Sequence, residues 1–140
     1  MYIDTSLIAA YYCPESRSLA AENLLRSLTK PSISRLTEVE FFSALARKQR
    51  EGGLGRNDAQ RIGDLFLTHL EAGYYCRIEV ESAHLRLAQG WLAGFDTPLR
   101  TLDAIHLAVA VIAHLPLATA DRRLAECARA KSCECVLVGQ

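Results

Sequence analysis

With 140 residues, half of them apolar, the chain has the length of one ordinary domain and can bury a real core, so a single domain over 1–140 is expected. Sixteen basic side chains balance sixteen acidic ones, which argues against a passive nucleic-acid coat, because such proteins carry a basic excess. The balance still leaves room for a local basic rim beside an acidic pocket.

The apolar start Met1–Ile3, followed by Asp4-Thr5-Ser6, predicts a strand that runs into a helix-capping signal. A short helix over Leu7–Tyr12 follows, stopped near Pro14. Ser16–Leu28 repeats Leu19, Ala20, Leu24, Leu25 and Leu28 with a helical period. Pro31–Ser34 reads as a short strand. Thr37–Arg50 predicts a long helix with Val39, Phe41, Phe42, Leu45 and Ala46 on its apolar face, a basic last turn, and Gly52-Gly53 as its stop. A second long helix is expected over Asn57–Leu70, with Asn57 as its cap and Gly73 beyond its end. Tyr74–Val80 alternates as a strand does, and Glu81–Leu92 is helical. Thr97-Pro98 is expected to open a further helix, with proline in its first position, that runs to about Ala113. Leu115–Ala118 is strand-like, Asp121 caps a helix over Arg122–Ala130, and Cys135–Val138 closes the chain as a strand.

Strands alternating with helices define an α/β protein, with a central parallel sheet of about five strands and helices on both faces. In such sheets ligands gather at the carboxyl ends of the strands. Asp4 and Asp121 directly follow predicted strands, Glu40 lies in the first turn of a helix that follows one, and Asp103 lies near the start of the Pro98 helix. Each acid has a structural explanation when taken alone. Asp4 and Asp121 could cap helices, Thr37 and Glu40 could form a capping box, and the helix dipole favours Asp103 in an early turn.

Asp103 strains that explanation most. From Leu102 to Leu117 the chain is apolar nearly all round, as a buried helix is. An unpaired carboxylate there costs several kcal/mol or is driven toward its neutral form. Several carboxylates at one sheet edge repel one another, and a bound hard cation relieves that repulsion. With no matched set of His or Cys ligands, the oxygen donors point to Mg2+ or Mn2+. Such an ion activates water and steadies phosphate charge during hydrolysis, either alone or as one of a pair.

At this point a family resemblance emerges. The segments YIDTS (2–6), RLTEVEFFSAL (35–45), LRTLDAIHLAVA (99–110) and LATADRRLAECA (117–128) resemble the successive motifs of PIN domains, and of VapC-like toxins in particular, in the right order and over essentially the whole chain. The resemblance implies a PIN-like fold and a metal-dependent endoribonuclease that leaves a 5′-phosphate and acts as the toxin of a toxin–antitoxin pair. It assigns catalysis and metal binding to Asp4, Glu40, Asp103 and Asp121, choosing Glu40 over Glu38, with Thr5, Ser6 and Thr119 in support. It further implies a cognate antitoxin and a homodimer, with an apolar groove between the two long helices offered by Tyr11, Tyr12, Phe41, Phe42, Phe66 and Leu70.

Arg100, Arg122 and Arg123 flank the acids and are candidates to hold RNA phosphates, although solvated helix-end charges would look the same. His106, one turn after Asp103, reads more readily as a packed core histidine than as a support for the site. Tyr74, Tyr75 and Trp91 could stack bases but suit a core or an interface as well. Cys13, Cys76, Cys127, Cys133 and Cys135 form no even disulfide framework and suit a reduced, cytoplasmic protein. Cys133-Glu134-Cys135 lacks the partners that would complete a zinc site. No signal-peptide pattern opens the chain, and the run 102–117 is too short and too polar to cross a bilayer. Two rival readings remain. An aspartyl-nucleophile phosphoryl-transfer domain would want Asp-x-Asp where Asp4-Thr5-Ser6 stands, and a PIN-like scaffold could bind RNA or a partner without cutting.

Overall fold

The computed structural model describes residues 1–139. Its elements in chain order are β1 (Tyr2–Ile3), α1 (Thr5–Tyr12), α2 (Ser18–Ser27), β2 (Ser32–Ser34), α3 (Arg35–Arg50), α4 (Arg56–Glu71), β3 (Cys76–Ile78), α5 (Ser82–Ala93), α6 (Thr101–Ile112), β4 (Leu117–Thr119), α7 (Arg122–Ala130) and β5 (Cys135–Leu137). The strands form one five-stranded sheet in the order β3-β2-β1-β4-β5. Every pairing is parallel, with Tyr2 opposite both Ser32 and Leu117, Ser32 opposite Cys76, and Leu117 opposite Cys135. The predicted α/β class, with a central parallel sheet of five strands, is that of the structure.

Alternation along the short strands sends successive side chains to opposite faces, and each face has its own core. Ile3, Ile33 and Ala118 pack with Leu7, Ile8, Phe41, Leu45, Phe66 and Leu70 from α1, α3 and α4. Tyr2 and Leu117 point the other way and pack with Leu107, Ala108, Leu124 and Ala128 from α6 and α7. The first core centres on aromatic rings. Phe66 lies 4.4 Å from Phe41 and 5.4 Å from Tyr12 between centroids, distances at which tilted and edge-to-face pairs attract. Gly63 lets α3 and α4 approach closely, because a Cβ there would sit 2.8 Å from the Phe42 ring.

The α3 face differs from its sequence pattern. Phe41 and Leu45 are buried, but Val39 is 70% exposed and Phe42 is half-exposed. The helix begins earlier than expected, at Arg35, and its capping box joins Ser34 to Thr37, so the expected box between Thr37 and Glu40 does not form. Tyr12, Phe41, Phe66 and Leu70, offered above as groove residues, belong to the core. Gly55, not Asn57, caps α4.

The sixth helix starts at Thr101 rather than Pro98. The Thr97 hydroxyl accepts the Leu99 N–H at 3.3 Å, a local alternative to a helical bond, and Leu99 is buried in the second core by an extended approach. Cys13, Cys127 and Cys133 are buried thiols, and all five cysteines are free. Among the described residues no helix is long and apolar enough to cross a membrane.

Phe66→Ala should cost about 3–5 kcal/mol of unfolding free energy, as buried aromatic deletions do. Val39→Ala should cost under about 0.5 kcal/mol. Urea melts of the two variants compare the buried and exposed faces directly.

Candidate functional site

The carboxyl ends of β1 and β4 lie side by side at the centre of the sheet, and each delivers an aspartate. Asp4 follows β1 at the N-cap position of α1, yet its side chain makes no capping bond. Instead its Oδ2 accepts from the Ser6 hydroxyl at 2.7 Å and the Thr119 hydroxyl at 2.9 Å. Thr119 in turn accepts the Asp121 N–H at 3.0 Å, and Ser6 accepts the Ala120 N–H at 3.1 Å. Two hydroxyls thus stitch the end of β4 to the start of α1 and fix a carboxylate that is 6% exposed. Asp121 does cap α7, its Oδ1 accepting from the backbone of Arg123 at 2.8 Å and Leu124 at 3.2 Å.

Glu40 reaches the same edge from α3. With the cap of that helix supplied by Ser34 and Thr37 a turn earlier, its carboxylate is released from helix duty. Its Oε1 accepts from the Thr5 hydroxyl at 2.8 Å and from the imidazole Nε2 of His106. Glu38, two residues before, turns to the rim, where Arg77 grips it through two bonds of 2.7 and 3.1 Å and Arg35 adds a third.

His106 is 1% exposed and joins the elements that carry these acids. Its Nδ1 meets the Tyr2 hydroxyl at 2.6 Å, and that hydroxyl donates its one proton to Ser34 Oγ at 2.8 Å. Nδ1 pairs with the Tyr2 hydroxyl, while Nε2 donates to the Glu40 carboxylate. Burial pulls the His106 pKa down, but the Glu40 bond and the charges of Asp4, Glu40 and Asp103 raise it above its ordinary value. Burial raises the Glu40 pKa, and its bonds to His106 and Thr5 outweigh this and lower it. Both shifts arise from one contact. From sequence His106 reads as a core histidine first and a support second; it is buried and also touches Glu40. Tyr2 was not anticipated, since nothing in a two-residue strand announces a partner 104 positions away.

Asp103 enters from the first turn of α6. No hydrogen bond to its carboxylate is found among the described residues. Its pKa is raised, by burial first, then by the charges of Asp4 and Asp121, with Glu40 adding to them and His106 opposing. Asp103 and Asp121 line an open cleft of roughly 580 Å³ together with Arg100, Arg122 and Arg123, so the three arginines singled out from sequence share the acids' opening. The acids face one region without closing into a cage, and among the described residues no three His, Cys, Asp or Glu side chains converge as a preformed metal site. The all-oxygen donor set and the uncompensated charge felt by Asp103 suit a hard divalent cation that keeps part of its water shell.

Tyr75 lies at the opposite end of the sheet, buried, its hydroxyl 2.8 Å from that of Tyr12. Tyr74 stacks on His69, and Trp91 sits against the second core with Lys131 over its ring. These aromatics precede β3 or lie on α5, away from the acids.

The sheet order and its acidic carboxyl edge define a class, and the PIN domain profile matches residues 1–130; the chain belongs to the PIN domain family. Its solved structural neighbours include two described as a toxin or a toxin–antitoxin complex. VapC20 of Mycobacterium tuberculosis, described as a toxin that cleaves the sarcin–ricin loop, superposes with a TM-score of 0.71 at 20% identity, over 90% of this chain and 93% of that one. A chain of VapBC2 from Rickettsia felis, a structure bound to a promoter DNA fragment, gives 0.74 at 12% identity over 99% and 98%. FitAcB of Neisseria gonorrhoeae gives 0.66 at 16% identity over 96% and 94%. At these identities the likeness is one of fold. No curated protein sequence matches significantly.

Asp103→Asn should stabilise the metal-free protein at neutral pH. The folded pKa of Asp103 lies above its ordinary 3.8, so ionisation penalises the folded state. The penalty is absent below pH 3.8, grows as pH rises through the folded pKa, and is complete above it. Urea melts in chelator at several pH values should show the variant's advantage appearing over that window. A loss of stability at neutral pH would make Asp103 a structural residue.

Proposed function

We propose that this protein is a Mg2+- or Mn2+-dependent endoribonuclease, the toxin of a toxin–antitoxin pair. The observation that carries the reading is Asp103, a half-buried carboxylate with no hydrogen-bond partner among the described residues, pressed by the negative charge of Asp4, Asp121 and Glu40 at the carboxyl edge of a parallel sheet. Membership of the PIN family and the toxin neighbours support it.

In this reading Asp4, Glu40, Asp103 and Asp121 hold the cation, directly or through water. The bound ion supplies an activated water and neutralises charge on the phosphodiester. The chain supplies the geometry. Thr119 and Ser6 set the Asp4 carboxylate, and Thr5 and His106 set that of Glu40. Outer hydrogen bonds of this kind hold ligands in register. Arg100, Arg122 and Arg123 receive RNA phosphates at the mouth, where the guanidinium fork matches phosphate oxygens.

An antitoxin would cover apolar surface. The exposed Val39 and Phe42 on α3 and Leu65 and Leu67 on α4 offer that surface, in place of the buried rings named from sequence. One neighbour, from Klebsiella pneumoniae, is described as a toxin–antitoxin complex, and VapBC2 and FitAB are each described as bound to a DNA fragment. A homodimer and a single-domain chain belong to the same proposal. The rival reading, a noncatalytic scaffold, draws on the absence of a closed ligand cage among the described residues.

Asp4→Asn and Asp121→Asn should each abolish metal-dependent cleavage of a labelled RNA pool while leaving the unfolding midpoint of the metal-free protein within a few degrees. Asparagine still caps α7 as well as aspartate does and still accepts from Ser6 and Thr119 at position 4. Wild-type protein should gain about 2.7 kcal/mol at a metal concentration of 100 Kd. Neither cleavage nor metal-induced stabilisation would favour the scaffold.

A further inference from the structure

The arginines at the mouth all lie on one side of the acids, toward α7. A second cleft, of roughly 350 Å³, opens on the other side, lined by Thr5, Ser6, Glu40, Ser43, Arg47 and Leu102. The two clefts flank the first turn of α6, with Leu102 lining one and Asp103 the other. Arg47 stands seven residues beyond Glu40 on α3. Seven residues fall about 20° short of two full turns, so the two side chains share one helix face, roughly 10 Å apart along its axis.

Arg47 is exposed and makes no ion pair among the described residues. The adjacent Lys48 is engaged by Glu15 at 3.6 Å, and at the start of the helix Arg35, with Arg77 from β3, is engaged by Glu38. A polyanion laid across four carboxylates meets repulsion at the centre, and cations on one side alone would let the other end lift away.

We propose that Arg47 is a positioning residue for the nucleic-acid strand. The strand runs from Arg100, Arg122 and Arg123 over the acids into the Glu40–Ser43–Arg47 cleft, where the Arg47 guanidinium holds a phosphate beyond the bond that is cut. The inference rests on the ribonuclease reading above. The alternative role for Arg47 is a last-turn cation that complements the dipole of α3, which would affect stability and leave substrate untouched.

The test is steady-state cleavage of a fluorescein-labelled single-stranded RNA, selected from a random pool as one the wild type cuts, across about 50–200 mM salt. Arg47→Ala should raise KM about three- to tenfold with kcat within about twofold, Arg47→Glu should raise it further, and Arg47→Lys should stay near wild type. The slope of log KM against log salt should flatten by about 0.7 in Arg47→Ala, the value for one single-strand phosphate contact. Shortening the RNA on one side of the cut should erase the difference between wild type and Arg47→Ala, a readout that does not depend on the variant's stability. Unchanged KM and salt slope in Arg47→Ala, with wild type active, overturn the inference alone. A wild type that cuts no RNA in the pool, with either metal, overturns the ribonuclease reading and this inference with it.

Discussion

A buried histidine ties together the elements that carry the acids. His106 projects from α6, pairs with Tyr2 on β1, donates to Glu40 on α3, and comes within 3.3 Å of the Thr5 hydroxyl on α1. Through Tyr2 it reaches Ser34 at the end of β2. A polar group removed from water costs free energy unless it is hydrogen-bonded, and here both ring nitrogens are used. That condition restricts how α3 and α6 can sit against the sheet. Sliding either helix by a turn would strand an imidazole or a carboxylate in the interior. The interaction that fixes the helices therefore also fixes Glu40 and Asp103, which ride on them.

Topology explains why the acids meet. In the order β3-β2-β1-β4-β5 the first strand is central; the chain builds one side with β2 and β3, then crosses over to build the other with β4 and β5. Asp4 and Asp121 follow adjacent parallel strands, so their neighbourhood is a product of pairing Ile3 with Ala118. Each is then turned by its local partners. Thr119 and Ser6 draw Asp4 away from capping α1, while Asp121 keeps one oxygen on the backbone of α7. Helix capping and hydroxyl bonds compete for these carboxylates, and at Asp4 the short-range hydroxyls win.

Much of this was legible in the sequence, for identifiable reasons. The bounds of α7 follow from a clear aspartate cap and a clean apolar period, and the parallel sheet follows from regular alternation of strands and helices. Legibility failed where a tertiary demand overrode a local signal. Pro98 looks like a helix start, but Leu99 is needed in the core and Thr97 satisfies its amide outside a helix. Val39 and Phe42 look like a buried face, but the sheet takes Phe41 and Leu45 instead. Glu40 looks like half of a capping box until Ser34 appears as the cap. The acids themselves stood out because each follows a strand or opens a helix. Their supports did not, because the Tyr2–His106–Glu40 connection spans most of the chain.

The charge balance at the site has a direction. The two ring nitrogens of His106 are spent on Tyr2 and Glu40. It lies 3.9 Å from Asp4, too far for a hydrogen bond, and lowers the Asp103 pKa by less than Asp4 and Asp121 together raise it. Hydrogen bonds from His106 and Thr5 therefore support the Glu40 side of the cluster and leave the Asp103 side in deficit. Arginines at the mouth cannot make good that deficit from solvent-exposed positions, where screening is strong. The open side, between Asp103 and Asp121, is where an added positive charge would gain most, and it is also the side that faces the larger cleft. The same imbalance that burdens the metal-free fold thus directs where a cation, and the phosphate it attracts, would come to rest.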